Sequence, residues 1–330
     1  MIKHTEKPTA ADMTDHFEIL EDNLRECCMR QSLAGEQALF HIREYAEEIA
    51  AVCEDAQEIA ALLGERGKYL EEIPLDFPVA SRHLLSFDRT ETRFYLRMIL
   101  FREIGLLMLK KNPMFFTDRY ALTEPVSASA AGRISYQQNH YSDSAYLLFS
   151  GSDRVKNARA SYRSHFTEVC EDVYNGVTEF GILPAGNSSE GKLLRFVALI
   201  ERYELKIVAA ASVPSEGGTT NEFVLVAKTA DLFPPRLNGG EYLQFSVVPD
   251  HRETLREFLS AAEFCSLYPE RVDTLPARDG ASVAYYPVFR ADNADLFTFY
   301  TYLSVDLPQA VPIGLYQNVP EKRARNTDFQ

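Results

Sequence analysis

The sequence predicts an α+β multidomain chain: an N-terminal helical bundle, a single α/β lobe and a C-terminal ferredoxin-like domain. Three observations carry this expectation. Apolar residues recur at helical spacing through residues 12–112, strand-like and helix-like segments alternate from Arg133 to Lys228, and a β-α-β-β-α-β order follows Gly240. A length of 330 residues favours two or three cores over one.

The first eleven residues are polar and are expected to be loose. From Asp12, the residues Phe17, Leu20, Leu24 and Cys27 or Cys28 recur at helical spacing. A second, cleaner stripe runs through Leu39, Ile42, Ala46, Ile49, Cys53, Ala56, Ile59 and Leu63, with Gly64 and Gly67 as stops. Phe94, Met98, Phe101, Ile104 or Gly105, and Met108 repeat the pattern, and Lys110 and Lys111 suit a helix C-terminus. Residues 12–122 therefore read as the helical domain. The small, polar residues 123–132 read as a linker.

In the α/β lobe, residues 133–232, strands are expected at Arg133–Tyr136, Glu179–Leu183, Leu205–Ala210 and Asn221–Ala227. Helices are expected at Thr167–Asn175 and Leu193–Tyr203. Pro234, Pro235, Gly239 and Gly240 punctuate a second linker, 233–240. The third region, 241–319, reads as strand Tyr242–Val248, helix Arg252–Phe264, strand Arg271–Leu275, strand Val283–Arg290, helix Asp295–Leu303 and strand Val311–Tyr316. A polar tail, 320–330, follows.

Composition narrows the function. Apolar residues make up 46% and charged residues 25%, as in ordinary globular chains. A net charge of −14 repels phosphate backbones and anionic lipid headgroups, so neither nucleic acid nor a membrane is expected as a partner. The five cysteines show no C-x-x-C spacing and the seven histidines no clustering, so no metal and no cofactor are expected. No signal-peptide stretch opens the chain, and a cytoplasmic setting is the expectation.

The most informative peptide is Gly181-Ile182-Leu183-Pro184-Ala185-Gly186-Asn187-Ser188-Ser189-Glu190-Gly191, a buried strand that delivers a polar turn towards a helix. Two uses fit such a turn. Unpaired N–H groups at a helix start bind an anion, with Asn187 and Ser188 as added donors; alternatively Asn187 or Ser188 simply caps the helix.

The run from Arg133 to Lys228, with Glu179-Phe180-Gly181-Ile182-Leu183-Pro184 leading into Asn187-Ser188-Ser189-Glu190-Gly191, resembles the first, periplasmic-binding-protein-like lobe of prephenate dehydratase. In that family a Pro-x-Glu-Asn-Ser/Thr turn followed by Gly lines the substrate cleft. The resemblance makes Asn187, Ser188, Ser189 and Gly191 ligand-binding candidates. Ser142 joins them, because Tyr141-Ser142-Asp143-Ser144-Ala145 resembles the family's first Gly-rich turn. The third region resembles the phenylalanine-binding ACT domain that follows dehydratases: Leu243–Val248 opens it, and Ile313-Gly314-Leu315-Tyr316 is similar to its closing Leu-Gly-Ser-Tyr. A helical segment, a dehydratase and an ACT domain stand in the order of the bifunctional P-proteins, whose helical part is a chorismate mutase.

The departures shape the expected function. The turn's acidic residue is Gly186 here, and Gln137-Gln138-Asn139-His140 stands where the family has Gly-Pro-x-Gly. Asn221-Glu222-Phe223 replaces the catalytic Thr-Arg-Phe, so Glu222 takes the arginine's position and repels a dianionic substrate. The family places a second lobe before that strand, whereas here only residues 211–220 intervene after the Leu205–Ala210 strand. An interlobe cleft orients the substrate and excludes water, contributions worth about 7–11 kcal/mol in favourable cases.

In the ACT-like region, Glu253-Thr254-Leu255 replaces Gly-Ala-Leu, and Asp273-Thr274-Leu275-Pro276 replaces Glu-Ser-Arg-Pro. Thr254, Leu255, Asp273 and Thr274 are thereby its candidate ligand residues, and a dimerisation module without ligand is the alternative. Arg25 and Arg43 fall near the arginines that resemblance to a chorismate mutase implies, while Glu54 takes the place of its lysine. A solvated helix face accounts for such charges equally well. The expected function is that of a catalytically degenerate relative, with Asn221, Glu222 and Phe223 at the degenerate catalytic positions, that binds a small anionic or aromatic metabolite as a homodimer and acts as a ligand-binding or regulatory protein in phenylalanine metabolism. Chorismate mutase activity or a residual dehydratase is the alternative.

Overall fold

A computed structural model describes residues 34–66, 89–112, 115, 132–152, 155–189, 191–232, 237, 239–249, 252–277 and 282–319. The helix expected from Asp12, the candidate Arg25 and residues 123–131 of the first linker lie outside them. The chain forms two compact units, residues 1–116 with 295–308, and residues 117–294 with 309–330.

The first unit is helical: α1 (Ala34–Val52), α2 (Ala56–Arg66), α3 (Arg89–Lys111) and α8 (Leu296–Val305). The stripe expected to make one helix makes two. Asp55 accepts from the backbone N–H of Gln57 (2.8 Å) and of Glu58 (2.9 Å), and the Glu58 carboxylate accepts from the Glu54 N–H (2.6 Å). This reciprocal cap starts α2 afresh. Lys111, at the end of α3, donates to the carbonyls of Ala50 (3.1 Å) and Cys53 (2.8 Å) and so closes α1. Ile42, Ile49, Ile59, Phe101 and Ile104 are buried as the periodicity predicts.

Helix α8 corrects the domain reading. The order along the chain assigns it to the ferredoxin-like module, but it packs on α3 and α2 within the helical unit. Nine of its ten residues are buried, Phe297 being the half-buried exception, as a helix apolar on every side requires. A Cβ on Gly105 of α3 would collide with the Thr301 hydroxyl, so a glycine permits this approach. Asp295 caps α8 through the Thr298 N–H (3.0 Å), and Asp306 beyond its end accepts from Arg97 (2.7 Å).

The second unit is built on one ten-stranded sheet. Its strands are β1 (Arg133–Gln137), β2 (Arg159–Arg163), β3 (Phe180–Asn187), β4 (Gly191–Lys192), β5 (Lys206–Pro214), β6 (Thr220–Ala227), β7 (Glu241–Ser246), β8 (Tyr268–Pro276), β9 (Val283–Arg290) and β10 (Val311–Val319). Their order is β2-β1-β3-β6-β5-β10-β7-β9-β8, with β4 a short addition to β3. The strands β1, β2 and β3 run parallel; β6 lies antiparallel between β3 and β5. The last four strands, β10-β7-β9-β8, are antiparallel throughout, the order expected of a β-α-β-β-α-β unit.

The sequence suggested two separate sheets divided at residues 233–240. Instead β10 pairs in parallel with β5, and the two halves share one sheet. Gly314 makes the join: a Cβ there would strike the Ile207 carbonyl. Lys206 donates to the Pro312 carbonyl beside it (2.7 Å), and burial holds its ammonium below the ordinary lysine range. Three helices flank the lobe half, α4 (His140–Ser150), α5 (Phe166–Tyr174) and α6 (Leu194–Arg202), while α7 (Arg252–Phe264) packs on the other half through Phe258, Phe245 and Phe289. Helix α4 and strand β2 were not anticipated. The N-cap of α4, Asn139, accepts from the N–H groups of Tyr141 and Ser142.

Candidate functional site

The polar turn after β3 does not open a helix. Strand β3 runs past Pro184 through a bulge to Asn187, and Asn187 pairs with Gly191 of β4, whose φ of +80° completes a tight hairpin. Helix α6 begins only at Leu194, with Leu193 as its N-cap. Neither the capping role nor the helix-start anion site therefore applies to Asn187 and Ser188. Their hydrogen bonds go elsewhere. Asn187 donates to the Asn221 side chain (2.7 Å) and accepts from Ser189 through both N–H (2.8 Å) and hydroxyl (2.6 Å). Ser188 donates its N–H to the Thr220 carbonyl (2.9 Å) and accepts the Thr220 N–H on its hydroxyl (2.8 Å). Ser142 is buried in the first turn of α4 and accepts from the Asn139 side chain (2.9 Å).

A cavity of about 220 Å³ lies elsewhere on the same unit, across β3, β6, β5, β10, β7, β9 and β8 and beside α6. This is below the roughly 300–1,000 Å³ of drug-sized pockets and suits a small metabolite. Phe196, Val197 and Ile200 of α6 form its apolar wall. Tyr316 and Tyr242, stacked with ring centroids 5.9 Å apart, and Gln244 form part of its polar lining. Alternation along β7 sets the faces: Gln244 and Ser246 share one, while Phe245 turns away to Phe258 of α7.

Two carboxyl-bearing ends and one guanidinium give the cavity its charge. Glu222 of β6 lines one end; Glu270, Arg271 and Asp273 of β8 line the other. Arg271 donates through Nε to Asp273 (2.7 Å). The Tyr316 hydroxyl donates to the Gln244 side-chain oxygen (3.3 Å). Burial pushes the Tyr316 phenol well above its ordinary value; Arg271 draws it down, while Glu222, Tyr242 and Asp273 push it up. The charges at both ends thus act on one central hydroxyl. Helix α6 is fastened over the sheet by Glu201, which accepts from the Ser246 hydroxyl and from the Tyr286 hydroxyl (2.9 Å).

The sequence-derived candidates separate in space. Glu222 and Asp273 are in the cavity wall, and Phe223 is buried and also lines it. Asn221 is engaged by Asn187 in the hairpin. Thr274 is exposed, one residue along β8 from Asp273 and so on the other face of the strand. Thr254 and Leu255 are on α7, whose packing against Phe245 places it away from the face of Gln244. Arg43 has a side chain 63% exposed and lies 3.7 Å from Glu103, in keeping with a solvated helix face. Gln244, Arg271, Tyr242 and Tyr316 went unrecognised in the sequence. Their signal was polar residues at alternate positions of strands otherwise apolar.

Among the described residues, no group of three or more His, Cys, Asp or Glu could hold a metal ion, and no helix is long and apolar enough to cross a membrane. The thiols of Cys53 and Cys170 are pushed up to about 11 and about 12, in each case chiefly by burial, which disfavours their nucleophilic form.

No family model and no curated protein matches the chain. Several solved structures are similar to it. Prephenate dehydratase from Streptococcus mutans is 16% identical over 57% of this chain and 100% of its own, with a TM-score of 0.47. The Arthrobacter aurescens prephenate dehydratase, solved in complex with L-Phe, is 13% identical over 56% of this chain and 89% of its own, with a TM-score of 0.45. A structure described as a novel type of quorum quenching acylase is 17% identical over 56% of this chain and 94% of its own, with a TM-score of 0.44.

Proposed function

We propose that this chain is a prephenate-dehydratase-like protein without dehydratase activity, which binds a small metabolite and serves a regulatory role in aromatic amino acid metabolism. The carrying observation is Glu222 in the cavity wall, at the position where the sequence resemblance implies an arginine. Prephenate carries two carboxylates. Among the described residues that line the cavity, the carboxylates of Glu222, Glu270 and Asp273 outnumber the guanidinium of Arg271, and this balance disfavours a dianion rather than holding it for reaction. The hairpin adds to the case, because Asn187, Ser188 and Ser189 spend hydrogen bonds on one another and on β6 that a substrate-binding turn would direct to its ligand.

Incubation of the purified full chain with prephenate tests the proposal. Phenylpyruvate is expected to form at the background rate, and Glu222→Arg is expected to restore no turnover, since the hairpin remains closed. Prephenate-dependent phenylpyruvate formation that falls in Asn187→Ala or Glu222→Gln overturns it.

A further inference from the structure

Strand β8 ends the sheet. Among the described residues no strand pairs with it on the side away from β9, and Tyr268–Pro276 are exposed or half-buried throughout. An open edge of this length offers its backbone groups to another strand.

The hydrogen bonds of β9 decide which groups those are. Tyr285 exchanges both backbone hydrogen bonds with Val247 (2.8 Å each), so its N–H and C=O point away from β8. Thr274 lies opposite Tyr285, and Val272 lies opposite Pro287, which has no N–H to give. In an antiparallel ladder, residues bonded to the neighbouring strand alternate with residues turned away from it. Arg271 and Asp273 therefore bond to β9, while Val272 and Thr274 direct their N–H and C=O groups outward.

The side chains select the partner. Arg271 and Asp273 lie on the cavity face, so Val272, 39% exposed, lies on the face of α7. There the half-buried Leu255 and Leu259 of α7 line, with Pro269, a shallow groove beside the edge. A twofold axis through Val272 sets β8 antiparallel to the β8 of another copy: Val272 faces itself, Thr274 faces Glu270, and each Arg271 faces Asp273 of the other copy. Asp273, which already accepts from its own Arg271 (2.7 Å), then stands between two guanidinium groups, and the four charges alternate. Shifted registers lose this match. An axis through Asp273 sets two carboxylates face to face, and one through Thr274 pairs Val272 with Pro276, which has no N–H to return.

We propose that two copies of this chain associate through β8, antiparallel and centred on Val272, with Arg271–Asp273 pairs crossing between the copies and the α7 grooves side by side. A twofold pairing consumes the edge and closes as a dimer. The association is independent of what the cavity binds, and it gives the expected homodimer a surface and a register.

Sedimentation of the full chain over a concentration series provides the test, with a reversible monomer–dimer equilibrium expected. Val272→Pro removes an outward N–H and no bond to β9, and is expected to weaken the dimer at least about tenfold. Arg271→Asp and Asp273→Arg each set like charges opposite one another and are expected to weaken it by about threefold or more. The two together exchange the signs and are expected to restore the affinity of the unaltered chain. On oxidation, Val272→Cys is expected to cross-link the dimer beyond the level of the unaltered chain, since directly bonded pairs stand about 5.5 Å apart, within disulfide reach. Thr274→Cys, which faces Glu270, is not. Circular dichroism reports the folding of each variant, and should Val272→Pro unfold, the charge exchange decides. A chain monomeric at every concentration, a dimer that a folded Val272→Pro leaves intact, a double exchange no tighter than the single ones, or Thr274→Cys cross-linking as readily as Val272→Cys overturns the proposal.

Discussion

The hairpin after β3 and the cavity beside α6 both gather polar side chains on one sheet, and they use them in opposite ways. In the hairpin, Asn187 meets Asn221 and Ser189, and Ser188 meets Thr220, so these donors and acceptors are spent inside the fold. In the cavity, Arg271 gives Nε to Asp273 and the Tyr316 hydroxyl bonds the Gln244 side-chain oxygen, while Glu222, Glu270 and the apolar side chains of α6 line the same open space. A polar cluster is therefore a candidate site by the space left beside it after folding, rather than by its composition alone. The hairpin carries the more familiar sequence motif, and the cavity carries the charged side chains Glu222, Glu270, Arg271 and Asp273.

The strongest way to break this contrast is to remove the cavity while sparing the hairpin. Gly314 lies where β10 meets β5, and any Cβ strikes the Ile207 carbonyl. Gly314→Val is expected to destabilise the second unit by about 3 kcal/mol, the upper range for forcing extra atoms into a packed site. The loss is measured as a lower urea midpoint. An unchanged midpoint would show that β10 and β5 tolerate a wider separation than the structure has.

A smaller effect follows at the wall. Glu201 ties α6 to both β7 and β9 by accepting from Ser246 and Tyr286. Glu201→Ala is expected to cost about 2 kcal/mol, since hydrogen bonds to a charged acceptor are worth about 1.5–3 kcal/mol each and partial exposure reduces the sum. Glu201→Gln retains one acceptor and is expected to lose less. Equal melting temperatures for Glu201→Ala and the unaltered chain would remove the fastening role.

How much of this was readable in the sequence depends on distance along the chain. Helix Arg252–Phe264 and strand Val283–Arg290 coincide with their expected bounds, because local periodicity specifies them. Strand β2, Arg-Ala-Ser-Tyr-Arg, was illegible: an edge strand with a polar sequence and a pattern of mixed exposure has no apolar alternation to detect. Helix α8 was found, but its partner was not, since a helix apolar on every side gives no face from which to read a neighbour. The cavity was the least legible feature. Glu222, Gln244, Arg271 and Tyr316 come from four strands, and the β10–β5 pairing that joins their two halves is a long-range choice enforced by one glycine. Glu222 was singled out through the family resemblance, but nothing local assigned it Arg271 as a neighbour in one cavity.

The mildest perturbation sharpens the contrast from the hairpin side. Asn187→Ala removes the bond to Asn221 and both bonds from Ser189. These groups are partly exposed, so water replaces much of what is lost, and the expected cost is about 1 kcal/mol. If the hairpin is purely structural, that cost adds to the cost of Glu222→Gln within about 0.5 kcal/mol when the two substitutions are combined and urea midpoints are compared. Glu222 couples the two regions, because it follows Asn221 directly in β6 and its register places it opposite Gly186. A larger departure from additivity would therefore mean that the hairpin positions Glu222 in the cavity wall. Its polar groups would then support the cavity wall at one remove, and the division between a closed turn and an open cavity would give way to one region with a rigid support.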